Sequence, residues 1–225
     1  TATTLKVSDG GRTASISLLG VNSISPGTTP PQGLSGPLVY VGSGELHDFN
    51  GKEIRDTVVL MDIDSGKGWL HAASLGARAL IYVDGGNTQR SYFTDKFELT
   101  PVRFPRFWMP QPQVLDLFGD FRTAPGGVVS PGVTLVSDMK WEHASCENIY
   151  GVIPGSDPDL EEEIIVVEAF YDATAWVPGH APGAEEALGV ATLLDAAQRL
   201  VRLKCGRSIL LVATDAHAQA LAGMR

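Results

Sequence analysis

The stretch VVEAFYDATAWVPGHAPGAEEALGVATLLDAAQRL (residues 166–200) decides how the second half of this chain folds. An apolar run ends at Tyr171-Asp172, which is typical of a buried strand that leaves into a polar loop. A Pro/Gly loop follows, and over roughly 184–203 apolar residues recur at helical spacing. Glu185-Glu186 opens this helix, where the helix dipole favours carboxylates. A strand, a Pro/Gly loop and an acidic helix start in this order are how a metal hydrolase is often assembled.

The segments around this stretch predict a small sheet. IIVVEAFYD (164–172) and SILLVATDA (208–216) are apolar on both faces, which indicates buried strands. ENIYGVIPG (147–155) predicts a strand ending in a Pro-Gly turn, and the acidic run Glu161–Glu163 predicts a solvated hairpin turn. From residue 145 the expected order is therefore β-hairpin, strand, loop, helix and strand, with a domain boundary near 140–148.

The first region has its own buried strands. The run at 57–61 and the run ALIYV (79–83) are apolar without alternation, so we place them side by side inside a sheet. A short helix joins them and stops at Gly76, which gives a βαβ-like unit. GSGEL (42–46) predicts a turn at a strand end, because no Lys-Ser/Thr follows it as in a phosphate loop.

Composition excludes some classes of partner. The 225 residues carry a net charge of −9, from 26 acidic and 17 basic residues, so no nucleic-acid partner is expected. No window reaches the roughly 18 apolar residues of a membrane span. The N-terminus TATTLKVSDGG has neither an initiator Met nor a signal-type apolar core, so we expect a processed or trimmed end.

Cysteine and histidine patterns give no independent catalytic motif. Cys146 and Cys205 form no CxxC, and the sequence leaves open whether they form a disulfide or remain two thiols. There is no HxH or HExxH pair to hold one metal and no GxSxG nucleophile turn. The histidines are scattered at His47, His71, His143, His180 and His217.

Longer motifs carry a resemblance. ENIYGVIPGSDPDLEEEIIVVEAFYD (147–172), PGAEEALGVATLLDAAQRL (182–200) and RSILLVATDAHAQALAG (207–223) resemble the first half of the M28 family of zinc aminopeptidases and carboxypeptidases. GKEIRDTVVLMDIDSGKGWLHAASLGARALIYVDGG (51–86) resembles the core of the protease-associated domain often inserted in such peptidases. The resemblance implies an α/β protein, with a β-rich protease-associated-like domain over 1–144 and a partial M28-type mixed sheet over 145–225.

The resemblance also implies a set of site positions. The family's zinc-binding His falls on Phe170, and the Asp that orients it falls on Asp172. The metal-bridging Asp falls on Glu186. The general-base Glu falls on His217, and the next zinc-binding Glu falls on Ala218. The family's remaining ligands would come after Arg225, where the sequence stops.

This set predicts a degenerate metal site. Zinc hydrolysis needs about three protein ligands per metal, and Phe170 and Ala218 offer no lone pair. We therefore expect no catalytic residue, no metal and no cofactor, and a protein that acts as a structural or protein-binding module. One alternative is a zinc exopeptidase completed by residues or a chain not present here. Another is one metal site rebuilt from Asp172, Glu186, His217 and His180.

Two further expectations concern partners and location. A sugar- or peptide-binding role of the protease-associated-like region is compatible with the non-catalytic interpretation. The sheet of 164–214 needs a cover, which we expect to be another polypeptide, a neighbouring copy or the protein's own C-terminal half. We expect an extracytoplasmic or secreted location.

Overall fold

The computed structural model describes residues 3–7, 11–20, 27–94, 96, 102–139, 142–181, 183–218 and 221–225. It divides into two compact units. The first consists of Thr1–Trp141 with Trp176–His180, and the second of Glu142–Ala175 with Ala181–Arg225. Together they form the mixed α/β fold that the sequence predicts.

The first unit is built on one eight-stranded sheet. Its strands are β1 (Thr3–Val7), β2 (Thr13–Ser15), β3 (Ser17–Leu18), β4 (Leu34–Tyr40), β5 (Val58–Asp62), β6 (Ala79–Asp84), β7 (Arg106–Pro110) and β8 (Val128–Ser137). Its helices are α1 (Trp69–Ser74), α2 (Arg90–Thr94) and α3 (Gln111–Phe118). The strand order is β2-β1-β8-β4-β5-β6-β7-β3, and β4 to β7 run parallel.

The centre of this sheet confirms the prediction for the two apolar runs. β5 and β6 pair in parallel with Val58 opposite Ala79, and both strands are buried on both faces. Alternate residues supply separate cores: Leu60 and Ile81 pack on one face, and Met61 and Tyr82 on the other. Continuous apolar sequence is therefore what a strand with two covered faces requires.

The sequence did not predict β8, the longest strand. Its segment VVSPGVTLVS contains Pro131-Gly132, which is typical of a turn. In the sheet, the pairing of β8 with β4 shifts register between Gly36 and Leu38, opposite Val133 and Ser130. Pro131 therefore lies at a β-bulge, one of the few places where a sheet accepts proline.

The second unit is a three-stranded sheet with one long helix. It contains β9 (Ile149–Ile153), β10 (Ile164–Phe170), β11 (Ser208–Thr214) and α4 (Gly183–Leu200). β11 lies in the middle, parallel to β10 and antiparallel to β9. This central place agrees with the apolar character of SILLVATDA on both faces.

One expectation for this unit is wrong. The turn around Glu161–Glu163 does not close a hairpin, because β9 and β10 both pair with β11 rather than with each other. The intervening segment crosses over instead. It forms hydrogen bonds with the residues just before β11 and at its start: Ser156 N–H donates to Cys205 O, and Ser208 N–H donates to Glu163 O. β11 thus lies between β9 and β10, although the proximity of β9 and β10 in sequence predicts that these two strands pair with each other.

The described residues bear on two questions that the sequence raises, namely membrane-spanning segments and the state of the cysteines. None of the helices in that part of the chain has the length and apolarity to cross a membrane. Cys146 and Cys205 are both free thiols.

Candidate functional site

The positions implied by the resemblance gather at one edge of the second sheet. Because β10 and β11 are parallel and Phe170 pairs with Thr214, their carboxyl ends lie side by side. Phe170 closes β10, and His217 and Ala218 follow shortly after β11. Carboxyl ends of parallel strands are where α/β sheets commonly place their ligands.

Two aromatic rings occupy this edge. The centroids of Phe170 and His217 lie 4.0 Å apart with an angle of 20° between the ring planes, which is a stacked pair. The resemblance implies a zinc-binding histidine at the position of Phe170 and a general base at the position of His217. Phe170 contributes no lone pair, so the contact is one of dispersion and apolar burial rather than coordination.

Asp172 holds the chain beneath this pair. Its Oδ2 accepts a hydrogen bond of 3.0 Å from the backbone N–H of His217. Its Oδ1 is buried and has no hydrogen-bond partner among the described residues. The resemblance implies that this carboxylate orients a histidine at position 170. Here one of its oxygens positions the backbone of residue 217 instead.

A second polar residue, Asn148, fixes the turn that follows β11. Its Oδ1 accepts a 3.1 Å hydrogen bond from Asp215 N–H, and its amide donates to the carbonyl of Gly223. The turn includes Ala216 at φ 54°, a left-handed conformation that L-residues seldom adopt. Our sequence analysis did not single out Asn148. The available signal was its place directly before β9, the other neighbour of β11.

Tyr171 anchors the start of the loop after β10. Its hydroxyl donates a 2.6 Å hydrogen bond to Glu147 O, and its N–H donates to Thr214 O. Partial loss of hydration raises the pKa of Tyr171, and the nearby Asp215 carboxylate raises it further. The phenol therefore stays a proton donor across the physiological range.

Glu186 lies in the first turn of α4, and its side chain is buried, at 6% exposure. A carboxylate in this turn is favoured by the helix dipole, as the sequence predicts. The side chain of Glu185 lies outside the described part of the chain. His180, the fourth member of the alternative metal site, lies in the first unit, where its ring is 4.8 Å from that of Trp108.

These donors do not fit the two-zinc centre that the resemblance implies. Two of the implied ligand positions carry Phe170 and Ala218, which have no donor atom. Among the described residues, no group of three or more His, Cys, Asp and Glu side chains is arranged to hold a metal ion. A zinc ion needs about three such ligands with one position left open for water.

Comparison with known proteins gives a relationship for the second unit. Residues 148–224 match the family model of peptidase family M28. A search of curated proteins found no match. The structure resembles BSAP, a zinc aminopeptidase from Bacillus subtilis, with a TM-score of 0.61 and 23% identity over 96% of this chain and 48% of that chain.

A second solved structure, an aminopeptidase from Aneurinibacillus sp. strain AM-1, matches with a TM-score of 0.47 and 20% identity. That match covers 98% of this chain and 50% of the other. The chain thus spans about half the length of the two solved structures that it resembles.

Proposed function

Since residues 148–224 relate this chain to peptidase family M28, we propose that it is an M28 peptidase-like protein without zinc catalysis, acting as a structural or protein-binding module. The carrying observation is the stack of Phe170 on His217. Metallopeptidase chemistry depends on a metal that acidifies a bound water and polarises the carbonyl. The ring of this pair at position 170 supplies no donor atom, so an imidazole at position 217 would have no metal-bound water to activate.

The charge and donor pattern around the stack supports the same conclusion. Asp172 already spends Oδ2 on a backbone N–H, and Ala218 adds no oxygen where the family has a ligand. Glu186 is one methylene longer than the aspartate that bridges two metals in the family. One carboxylate cannot hold two cations in place of the full ligand set.

Zinc content and peptidase turnover test this proposal together. The purified chain is incubated with zinc and dialysed, its metal is counted by elemental analysis, and release of p-nitroaniline from aminoacyl p-nitroanilides is followed. We expect no stoichiometric zinc and no turnover above a blank. One or more tightly held zinc ions per chain, accompanied by turnover, would favour the zinc exopeptidase instead.

Matched variants sharpen the test. Phe170→His with Ala218→Glu restores two donor types, whereas Phe170→Ala removes the ring without adding a donor. We expect the double variant to gain zinc affinity only when the missing later ligands are also supplied, and Phe170→Ala to gain none. Zinc binding by Phe170→Ala would show that the ring masks a competent site and would contradict the proposal.

The module proposal also needs a surface, and the second unit offers one. Helix α4 lies on one face of the sheet, where Gly189 approaches Ala169 and Ile209 is buried. The register places Val152, Leu210 and Val166 in one row on the opposite face. We call this the open face; its apolar residues are Tyr150, Val152, Ile164, Val166, Leu210 and Val212.

The open face is strongly exposed: Tyr150 is 73% and Val166 is 59% accessible. Large contiguous apolar patches mark interaction sites or aggregation hazards in proteins. We propose that another polypeptide, or the C-terminal remainder of a longer chain, covers it. The exposed edge strands β9 and β10 support the same proposal, since bare edges pair readily with other strands.

A further inference from the structure

A cleft in the first unit lies at the carboxyl ends of β5 and β6. Its volume is about 330 Å³, at the small end of the roughly 300–1,000 Å³ usual for ligand pockets. The segment after β5 supplies Ile63 and Asp64, and the segment after β6 supplies Asn87 and Thr88. In open sheets this edge of the parallel strands is the usual ligand position.

The charges of the cleft are largely compensated within it. Asp62 Oδ1 accepts a hydrogen bond of 3.2 Å from Arg122 Nη2, and Asp62 Oδ2 accepts one of 2.8 Å from Tyr40 Oη. The same Nη2 also donates 3.2 Å to Gln111 Oε1. Both Nη2 protons are thus used, so Arg122 presents no complete fork to a carboxylate or phosphate.

The remaining charge disfavours an anion. Asp62 and Arg122 balance, and the exposed Asp64 leaves the lining with one net negative charge. The guanidinium still has Nε and Nη1 protons that no described residue accepts. Single hydrogen bonds to neutral oxygen atoms suit such donors.

Polar groups and an apolar floor stand together here. Thr88 Oγ1 is buried and has no hydrogen-bond partner among the described residues, so it lies beneath the surface of the cleft, where a ligand does not reach it. Asn87 adds an amide with both donor and acceptor atoms, and Tyr92 adds a phenol and a ring. Ile63 and Val83 are 5% and 2% exposed and form the apolar part of the lining.

We propose that this cleft binds a neutral carbohydrate of about monosaccharide size. Sugar hydroxyls both donate and accept, so together they can meet the exposed Asp64 and Asn87 and the free protons of Arg122. The C–H face of a sugar ring matches the apolar lining beside Tyr92. This binding does not depend on the second unit and stands whether or not that unit holds zinc.

Saturation-transfer difference NMR on the full chain tests the proposal. The probes are glucose, galactose, mannose, N-acetylglucosamine and their β-linked disaccharides, with the dipeptide Ala-Ala as the competing ligand. We expect saturation transfer to the ring C–H protons of at least one sugar and none to Ala-Ala. Transfer to Ala-Ala alone, or to no probe, overturns the proposal.

Variants locate the binding. Asp64→Asn and Asn87→Ala each remove hydrogen bonds to the ligand and should weaken binding about tenfold. Asp116→Asn, an exposed aspartate on α3 outside the cleft, is the matched control and should leave binding unchanged. Equal transfer in all three variants overturns the assignment of the cleft. Melting curves verify that each variant is folded, which the exposed positions of Asp64 and Asn87 favour.

Discussion

At the scale of single residues, Phe170 and Tyr40 show how one side chain sets the chemistry around it. Phe170 ends β10 at a place where the M28 resemblance implies a metal ligand, and its ring stacks on His217 instead. Tyr40 ends β4 and donates to Asp62, so the hydroxyl helps to position a carboxylate of the cleft, whose charge Arg122 balances. Exchange of one atom type at either position changes what the site can bind.

Tyr40 gives a pH prediction. Burial raises the pKa of Tyr40 to about 12, and the hydrogen bond and charge of Asp62 raise it as well. In the unfolded chain the phenol has a pKa of about 10, as in model peptides. A raised folded pKa stabilises the protein below the unfolded pKa, and this contribution is lost as pH rises from about 10 towards 12.

Urea unfolding between about pH 9 and 12 measures this loss. The free energy of unfolding should fall more steeply with pH in the parent protein than in Tyr40→Phe, which has no phenol to titrate there. Tyr82, whose pKa is also raised by burial, is present in both proteins and cancels in the comparison. Parallel curves for the two proteins would mean that Tyr40 is not linked to folding.

At the scale of elements, the hydrophobic pattern predicts those strands and helices whose formation depends mainly on the burial of apolar side chains. β5 and β6 follow from apolar runs because both of their faces are covered, and α4 follows from apolar residues at helical spacing. β10 and β11 also form from apolar runs, but the expected burial of β10 is wrong, because it is an edge strand in which Ile164 and Val166 are 62% and 59% exposed. β8 could not be predicted, since Pro131 reads as a turn until the bulge on β4 is known. The hairpin prediction failed for a similar reason. The order of strands in a sheet depends on tertiary packing, so the sequence of β9 and β10 does not show that each pairs with β11.

In the candidate site, too, some features can be predicted from the sequence and others depend on the tertiary structure. Phe170 and Ala218 lack donor atoms whatever the fold, so the sequence alone predicts the missing ligands. The ring stack, the bond from His217 N–H to Asp172 and the role of Asn148 depend on how the loops after β10 and β11 meet. The cleft of the first unit is also a tertiary feature, because its walls come from segments far apart in sequence.

The two-faced burial of β5 gives a stability prediction for an element. Leu60 is fully buried between β4 and β6. Leu60→Asp puts an unpaired carboxylate there and should cost about 4 kcal/mol or more. Leu46→Asp, at a position 66% exposed, is the matched control and should stay within about 0.5 kcal/mol of the parent. Chemical denaturation measures both, and a similar midpoint for the two variants would remove β5 from the core.

At the scale of the whole molecule, the two units differ in how completely they cover their sheets. The first buries apolar residues on both faces of its central strands, in two separate cores. The second covers one face with α4 and leaves the open face bare, and few of its described apolar side chains, such as Leu193 and Ile209, are buried. The first unit therefore covers its own sheet, whereas the second leaves an apolar face that we propose another polypeptide covers.

The last prediction concerns what the 225-residue chain does alone in solution. An uncovered apolar face with bare edge strands on either side drives association, so light scattering after size exclusion should show oligomers or aggregates. Val152→Lys with Val166→Lys places two charges in one row of the open face and should shift the protein towards monomer. Leu188→Lys with Leu194→Lys, at exposed positions on α4, is the matched control and should change the mass less. A parent chain that is monomeric at high concentration and melts cooperatively would show that the sheet needs no cover, and the proposed partner would have to be abandoned.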